Sequence, residues 1–451
     1  MSQPEHYVGL DLGTTSVSAA LIDLTTGRVL ATRSRPHRAD LPADVPGAHR
    51  QDADASVAKA LELLGELAAT FSPFAGIGVA GQMHGILYTD AAGRAVSPLY
   101  TWLDRRAEAR DGDRTYRDLF RDATGEAVPL GYGALTHYTL LRTGRVPEAA
   151  TAFCTPADYL VMRLAELAEP VMDPTLAHSL GLFDLERNAF TAGWAALGGT
   201  LRPPTLAGGT VVGRYGGAPV VCALGDNQAS FTGSALDPHR SVLVTLGTSG
   251  QVCCVSPTRP GYSGPEMEVR PFPGGGFLLV GASLIGGKAL EVLANLIDSV
   301  AVALTGERSA DPYSLLEFAP AAPAPPYPVV DTRFAGSRGG AQAGAIHNIT
   351  VDNFTLSHLA YSFAQGVVDE LHTFWAGAFR EAGATTNITQ LVGSGNAVRR
   401  NRLVRERLEA TFSLPLKLTG HQEEAAVGAA LYAASVVRGE GLEGVARRVL
   451  V

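Results

Sequence analysis

Cysteine and lysine are both scarce in this chain of 451 residues. The four cysteines form no Cys-x-x-Cys pair; they are Cys154, Cys222, Cys253 and Cys254. Adjacent cysteines are poorly placed for a normal bridge, so we expect free thiols in a reducing, cytoplasmic compartment. A disulfide framework and a Cys-x-x-Cys zinc site are thereby excluded as the basis of the fold.

The sequence also lacks a long uninterrupted apolar run and an excess of positive charge. The most apolar window, residues 277–304, contains Lys288, Glu291 and Asp298, which favours a buried or amphipathic helix over a membrane span. The net charge is −8 and the sequence pI is near 5.8. We therefore expect neither nucleic acid nor an acidic membrane as a partner. The polar first six residues lead into a predicted strand, so we expect no signal peptide.

The most informative pattern lies in residues 7–23. Two apolar stretches, 7–12 and 17–23, flank Gly13-Thr14-Thr15 and predict a β-hairpin. Glycine lets a ligand approach the backbone, the threonines can donate to phosphate oxygens, and Asp11 can hold Mg²⁺. An ordinary hairpin with a polar turn is the alternative that these residues alone leave open.

The same pattern recurs at residues 241–255, where two apolar stretches flank Gly247-Thr248-Ser249. This repetition predicts two structurally related halves, each contributing a Gly-Thr hairpin to one nucleotide. The chain is also too long for one ordinary hydrophobic core. We therefore expect an N-terminal domain at residues 1–235 and a C-terminal domain at residues 236–451.

Polar side chains follow two further predicted strands. Residues 75–80 lead into Gln82, Met83 and His84, and residues 220–223 lead into Asp226 and Asn227. In α/β proteins, ligands bind at the carboxyl ends of strands, so these side chains are candidates for a substrate site. A structural role for His84 and a helix-capping role for Asp226 are the alternatives.

A second polar and aromatic cluster follows at residues 100–106. Trp102 offers an aromatic face beside the Asp104 carboxylate and two arginines, a combination that suits a polyhydroxylated substrate. The alternatives are a Trp102 packed at a helix start and an Asp104 engaged in a solvated ion pair. In the second half, predicted strands at residues 276–280 and 387–392 lead into glycine-rich segments at residues 281–287 and 393–395.

Taken in order, these segments resemble the FGGY carbohydrate kinases, which belong to the actin-like, ribonuclease-H-like ATPase superfamily. The matching pieces span almost the whole chain and end with the small-residue stretch Glu424-Ala-Ala-Val-Gly-Ala-Ala-Leu431. The resemblance implies an α/β, two-domain actin-like (ribonuclease-H-like) ATPase fold with an interdomain active-site cleft. It also implies a phosphotransferase that uses ATP and Mg²⁺ and acts on a sugar alcohol group.

The resemblance further implies a role for each candidate residue. Asp226 is expected to act as general base and Asp11 as the Mg²⁺-holding carboxylate. The nucleotide residues are expected to be Gly13, Thr14, Thr15, Gly247, Thr248, Gly286, Gly287, Gly393, Ser394 and Gly395. The sugar residues are expected to be Gln82, Met83, His84, Trp102, Asp104, Tyr132 and Asn227.

Within the family, several strings are most similar to sedoheptulokinases. They are residues 101–104, 223–226, 282–287, 392–397 and 424–431. This similarity implies sedoheptulose as the substrate, with D-xylulose as the alternative because xylulokinases share Gln82-Met83-His84. An actin-like ATPase without sugar kinase activity is the alternative from a different functional class. The sequence leaves a monomer and a homodimer both open.

Overall fold

The computed structural model of the protein describes residues 5–199, 201, 203–261, 267–309, 311, 323–336 and 344–450. The chain folds into two compact units. The first unit comprises Met1–Leu236, Arg270–Gly275 and His421–Val451, and the second comprises Asp237–Val269 and Gly276–Gly420. The division into domains at residues 1–235 and 236–451 stays a prediction. The first unit also contains Arg270–Gly275 and His421–Val451, which lie beyond the predicted boundary.

A mixed β-sheet forms the centre of the first unit. Its strands in spatial order are Val211–Tyr215, Ala218–Val221, Gly76–Gly81, His6–Leu12, Ser16–Asp23 and Arg28–Pro36, and Leu224–Gly225 also pairs with Gly76–Gly81. The predicted hairpin forms around Gly13-Thr14-Thr15, because His6–Leu12 and Ser16–Asp23 pair in antiparallel register. Gly76–Gly81 runs parallel to His6–Leu12 on the other side.

A second sheet repeats this arrangement. Its strands in spatial order are Glu268–Pro271, Phe277–Ser283, Gly250–Ser256, Ser241–Leu246, Gln390–Ser394 and Leu416–Leu418. Ser241–Leu246 and Gly250–Ser256 form the second predicted hairpin, and Gln390–Ser394 runs parallel to Ser241–Leu246. In both sheets a hairpin therefore lies between a parallel strand and a further antiparallel strand. This shared topology is the arrangement expected of two related halves.

Two helices cover the first sheet by different kinds of packing. Ala53–Phe71 is capped by Asp52, and it buries an apolar face that contains Val57, Ala60 and Leu64. Glu424–Arg438 instead brings its backbone against the sheet, where a Cβ atom on Gly9 would lie 1.8 Å from the Ala426 carbonyl oxygen. Small residues on both sides therefore determine how closely this helix approaches the sheet.

The helices and the short strands outside the two central sheets complete the described part of the chain. The helices are Ala53–Phe71, Tyr116–Thr124, Gly133–Arg142, Pro156–Ala165, Pro174–Ser179, Gly193–Ala196, Asp226–Ser234, Gly287–Thr305, Leu356–Phe374, Asn396–Arg400, Arg402–Phe412, Glu424–Arg438 and Leu442–Val449, with 3₁₀ turns Arg106–Glu108 and Pro238–Arg240 and a π-helical turn Trp375–Phe379. The short strands are Asp40–Leu41, Arg50–Gln51, Leu87–Thr89, Leu99–Tyr100, Arg110–Asp111, Arg114–Thr115, Ala152–Cys154, Val171–Met172, Phe183–Asp184, Ala189–Phe190, Thr205–Leu206, Val329–Asp331 and Ala345–His347.

The structure shows the state of the cysteines and of the most apolar window. All four cysteines are buried free thiols, as predicted. The apolar window at residues 277–304 contains a strand, Phe277–Ser283, followed by the helix Gly287–Thr305. Within the described part of the chain, no helix has the length and apolarity needed to cross a membrane.

Candidate active site

Three neighbouring strands of the first sheet end at the same level. Leu12 pairs with Gly81, and Gly81 pairs with Gly225, all in parallel register. The residues that follow these strand ends are Gly13, Gln82 and Asp226. The turn, the Gln82 segment and Asp226 therefore lie at one edge of the sheet, where α/β proteins hold their ligands. The Gln82 backbone N–H donates to the Leu12 carbonyl oxygen at 2.8 Å and extends this alignment.

Asp226 begins the helix Asp226–Ser234 directly after its strand. Its Oδ1 accepts a hydrogen bond from the Asn227 backbone N–H at 2.7 Å. Burial raises the pKa of Asp226 above its ordinary value, while the charge of Arg270 and the Asn227 hydrogen bonds act in the opposite direction. A carboxylate in such surroundings is a suitable proton acceptor at a helix N-terminus.

Asp11 lies on His6–Leu12, which Gly76–Gly81 separates from the strand that leads into Asp226. The Asp11 Oδ1 has no solvent contact and no hydrogen-bond partner, although the whole residue is only half-buried. Burial, followed by the charges of Asp226 and Glu423, raises the pKa of Asp11 from 3.8 to about 8. The cross-strand partner of Asp11 is Ser18, whose hydroxyl donates to a Glu423 carboxylate oxygen. Negative charge thus accumulates around an unpartnered carboxylate oxygen.

This arrangement fits a divalent cation. A bound Mg²⁺ would neutralise the repulsion around Asp11 and would take its unpartnered oxygen as a direct or water-mediated ligand. No cluster of three or more His, Cys, Asp or Glu side chains suited to a metal was found among the described residues. A single carboxylate suits Mg²⁺ in kinases, because this ion keeps several waters and binds substrate phosphates as well.

The turn Gly13-Thr14-Thr15 is held by side chains from distant positions. The His37 Nδ1 accepts from the Ala39 N–H at 3.0 Å, so its Nε2 carries the proton and donates to the Gly13 carbonyl oxygen at 3.3 Å. The Gln51 Nε2 donates to the Thr14 carbonyl oxygen at 2.7 Å. These contacts fix the backbone of the turn and leave the Thr15 side chain exposed.

Gln51 also connects the turn to Gln82. The Gln82 Nε2 donates to the Gln51 Oε1 at 3.0 Å, and both side chains are buried. The Gln82 Oε1 is buried without a hydrogen-bond partner. A buried amide oxygen without a partner is costly, so a ligand hydroxyl would stabilise it.

Trp102 is joined directly to the turn. Its Nε1 donates to the Thr14 Oγ1 at 2.9 Å, while 44% of the residue remains exposed. The Trp102 carbonyl lies against Gly131, where a Cβ atom would be 1.9 Å from the carbonyl oxygen. Gly131 also has a φ of 80°. Only glycine satisfies both conditions, and it brings the neighbouring Tyr132 close to Trp102.

Tyr132 and His84 form a stacked pair, with ring centroids 4.2 Å apart and an interplanar angle of 24°. The His84 Nδ1 donates to the Ser179 carbonyl oxygen at 2.8 Å, and the His84 backbone N–H donates to the Ser179 hydroxyl at 3.0 Å. This contact fixes the tautomer with the proton on Nδ1, so Nε2 is an acceptor. His84 has a φ of 72°, which is unusual for a residue with a side chain.

Asp104 forms a buried ion pair with Arg106 instead of the solvated pair expected as an alternative. Its two oxygens accept from the Arg106 Nε and Nη2 at 2.8 and 2.9 Å, and its Oδ2 also accepts from the His49 N–H at 3.0 Å. The Arg106 guanidinium lies 4.4 Å from the centre of the Tyr100 ring. These contacts engage both Asp104 oxygens and link the loop that carries Trp102 to His49.

Met83 and Asn227 are the remaining residues of the predicted sugar set. The Met83 sulfur lies 3.4 Å from the Arg270 Nη1, and a Cβ atom on Gly225 would lie 2.9 Å from that sulfur. The Asn227 Oδ1 is buried without a partner. The residues that sequence analysis missed are Gln51, His37, Arg270 and Glu423.

The predicted nucleotide loops of the second unit come together around the second hairpin. The Gly286 N–H donates to the Thr248 carbonyl oxygen at 2.9 Å, and the Gly287 N–H donates to the Gly247 carbonyl oxygen at 2.8 Å. Gly395 has a φ of 85°, and a Cβ atom there would lie 2.4 Å from the Leu246 carbonyl oxygen. Gly393 and Ser394 end the strand Gln390–Ser394 beside this hairpin. Gly286, Gly287 and Gly395 therefore allow close backbone packing.

Comparisons with known proteins agree with this geometry. The family description "FGGY family of carbohydrate kinases, N-terminal domain" matches residues 6–233. The chain is 29% identical to a sedoheptulokinase of Homo sapiens over 94% of this chain and 96% of that protein. It is 30% identical to a xylulose kinase of Streptomyces coelicolor over 98% of this chain and 90% of that protein.

Solved structures show the same fold. A xylulose kinase from Rhodospirillum rubrum aligns with a TM-score of 0.82 at 24% identity, covering 98% of this chain and 92% of that chain. The predicted actin-like ATPase fold class is therefore confirmed. The chain belongs to the FGGY family of carbohydrate kinases and is an ATP-dependent sugar kinase.

Proposed function

We propose that the chain phosphorylates the terminal hydroxyl of a ketose, with sedoheptulose as the preferred substrate and its C7 hydroxyl as the acceptor. The observation that carries the proposal is the position of Asp226 at the strand-end edge that also holds Asp11 and Gln82. The similarity to a mammalian sedoheptulokinase over nearly the whole chain supports the choice of sugar. D-Xylulose is the second candidate, because a xylulose kinase of similar identity also covers nearly the whole chain.

In the proposed reaction, Asp226 acts as general base. An Asp226 carboxylate oxygen takes the proton from the terminal hydroxyl as the sugar oxygen bonds to the γ-phosphorus and the bond to the ADP oxygen breaks. The burial that raises the Asp226 pKa makes its carboxylate a better proton acceptor. Phosphoryl transfer otherwise depends mainly on positioning and on neutralisation of charge.

Asp11, Thr14 and Thr15 are proposed to handle the phosphates. Mg²⁺, when bound, neutralises charge on the β- and γ-phosphate oxygens, and Asp11 would hold it directly or through water. The backbone of the turn is fixed by His37 and Gln51, so its N–H and hydroxyl groups can donate without reorganisation. Such prior organisation lowers the cost of binding a highly charged ligand.

The loops of the second unit are proposed to bind the nucleotide. Thr248 would donate to phosphate oxygens, and the glycines would let the backbone approach ATP; they are Gly247, Gly286, Gly287, Gly393 and Gly395, with Ser394 between the last two. A glycine turn that follows a strand allows such close approach, since no side chain blocks the ligand.

The sugar is proposed to contact side chains of the first unit. His84 Nε2 and the unpartnered Gln82 and Asn227 oxygens accept from hydroxyls, while Trp102, Tyr132 and Met83 contact the carbon chain. Asp104 acts on the sugar site through its ion pair with Arg106. Analogues that lack the matching hydroxyls should bind more weakly, because the buried acceptor atoms would then remain without hydrogen-bond partners.

Sugar-dependent release of ADP tests this proposal. We expect sedoheptulose to have the highest kcat/KM among sedoheptulose, D-xylulose, ribulose, fructose and glycerol. A preference for D-xylulose of tenfold or more, about 1.4 kcal/mol in the transition state, would replace sedoheptulose by xylulose. ATP hydrolysis that none of these sugars stimulates would show that the proposed ketose substrate is wrong.

A further inference from the structure

Arg270 is a buried cation to which the proposed reaction assigns no role. Only 5% of this residue is exposed, and charged side chains are almost never buried without an opposing charge or polar partner. Its Nη1 lies 3.4 Å from the Met83 sulfur. That sulfur would be 2.9 Å from a Cβ atom on Gly225, the residue before Asp226. The guanidinium therefore contacts the Met83 side chain that packs at Gly225, one residue before the proposed base.

The segment that carries Arg270 is anchored on the helix of Asp226. Arg270–Gly275 belongs to the first unit, although the chain on both sides of it belongs to the second. The Gln228 Nε2 donates to the Pro271 carbonyl oxygen at 3.1 Å. Phe272 meets the Phe231 ring edge-on, with centroids 5.8 Å apart. These two contacts fix the segment on the same helix that Asp226 begins.

The charges around Asp226 are of both signs. Asp11 is a like charge two strands away at the same sheet edge, and Glu423 adds negative charge beside Asp11. Arg270 supplies the opposing charge, and the Asn227 N–H supplies a hydrogen bond. Burial favours a protonated Asp226 carboxyl, which cannot accept a proton, and Arg270 opposes this effect.

We propose that Arg270 is a positioning residue of the phosphoryl transfer, which keeps the Asp226 carboxylate charged so that it can accept the sugar proton. This inference depends on the role of Asp226 proposed above. The proton moves from the sugar hydroxyl to an Asp226 oxygen, and Arg270 neither gains nor loses a proton. The Met83 contact and the anchored segment keep the guanidinium in place.

The pH dependence of kcat/KM for the sugar tests this role. Arg270→Gln and Arg270→Met remove the charge, and Arg270→Lys keeps it. In the neutral variants we expect the acidic limb of the profile to move to higher pH by about 1 unit or more, with activity recovering as the pH rises. Arg270→Lys should keep its limb near that of the wild-type enzyme. Two neutral variants are used so that misfolding of one does not remove the comparison.

Arg407→Gln is the matched control. Arg407 is a partly buried arginine of the second unit, and its guanidinium lies 4.7 Å from the centre of the Tyr361 ring. Loss of the Arg407 charge should leave the acidic limb of the pH profile at its wild-type position. An unmoved limb in the neutral Arg270 variants, or an equal shift in Arg270→Lys, would overturn the proposal.

Asp226→Asn distinguishes a failure of the proposed base from a failure of the Arg270 role alone. If Asp226→Asn keeps its turnover, the proposed base is wrong and the role of Arg270 fails with it. If Asp226→Asn is inactive while the neutral Arg270 variants keep the wild-type limb, the inference about Arg270 fails alone.

Discussion

The indole N–H of Trp102 donates to the hydroxyl of Thr14 at 2.9 Å, across 88 positions of sequence. One partner belongs to the predicted sugar set and the other to the predicted phosphate turn. The bond therefore links two groups that sequence analysis could only propose separately. A sugar that lies on the exposed part of Trp102 would contact a side chain already fixed by the phosphate turn.

Variants of Trp102 test this link. Trp102→Ala should raise the KM for the ketose far more than the KM for ATP, because the ring offers a face to the carbon chain. Trp102→Phe keeps a ring but removes the N–H, and a neutral hydrogen bond contributes about 1 kcal/mol, or about fivefold. Steady-state kinetics with each substrate varied in turn measures both effects. An equal rise in both KM values would place Trp102 with the nucleotide instead.

Asp11 is expected to be essential for turnover. Asp11→Ala removes the carboxylate that the Mg²⁺ assignment requires, and saturating Mg²⁺ should recover little activity. Titration of Mg²⁺ at fixed sugar and ATP provides the measurement, with Asp11→Asn as the isosteric comparison. Substantial recovery of kcat at high Mg²⁺ would make Asp11 a contributor to metal affinity that the chemistry does not need.

Asp11 should also control how the stability of the metal-free protein depends on pH. Its pKa is raised to about 8 in the folded state, so the folded protein binds more protons than the unfolded chain between the two pKa values. Stability should therefore fall as the pH rises from about 4 towards 8. Asp11→Asn should show a smaller fall, as measured by melting temperature in a chelator. Identical pH curves for the two proteins would contradict this account of the Asp11 environment.

The helices Glu424–Arg438 and Asp226–Ser234 contact each other at Gly428, and we expect this position not to tolerate a side chain. A Cβ atom there would lie 1.8 Å from the Ala229 carbonyl oxygen on the helix that Asp226 begins. We expect Gly428→Ala to cost about 1–3 kcal/mol, the range for overpacked cores, and to lower both melting temperature and kcat. Gly444→Ala is the control, since no atom lies within 4 Å of its Cβ position. Equal melting temperatures for the two variants would show that the helices can separate at no cost.

Elements with a local pattern could be predicted from the sequence. The two Gly-Thr hairpins are predictable because apolar stretches flank a glycine turn, and the structure confirms both with nearly the predicted bounds. Breaks between helices are harder to predict. The pattern of residues 399–412 predicts one basic helix, whereas the structure has two helices that meet at Asn401, whose side chain caps the second by accepting from the Val404 N–H.

The supporting residues of the site could not be predicted. Gln51 and His37 hold the phosphate turn, but each is a single polar residue outside any motif. Arg270 lies in a short strand whose sequence has no signal for a charge beside Asp226. Their positions depend on tertiary packing, which brings distant segments to one sheet edge. A signal existed only for residues at strand ends, where α/β folds place their ligands.

Turnover of Asp226→Asn tests the central claim most directly. The variant keeps the shape of the side chain and removes its ability to accept a proton, so it should fold and bind ATP as the wild-type protein does. Sugar-dependent kcat should fall by about 10²–10⁴-fold, the range for a lost general base. ADP release with the preferred ketose, measured beside ATP affinity by calorimetry, gives both numbers. A near-normal kcat in a folded, ATP-binding Asp226→Asn protein would contradict the assignment of Asp226 as the base.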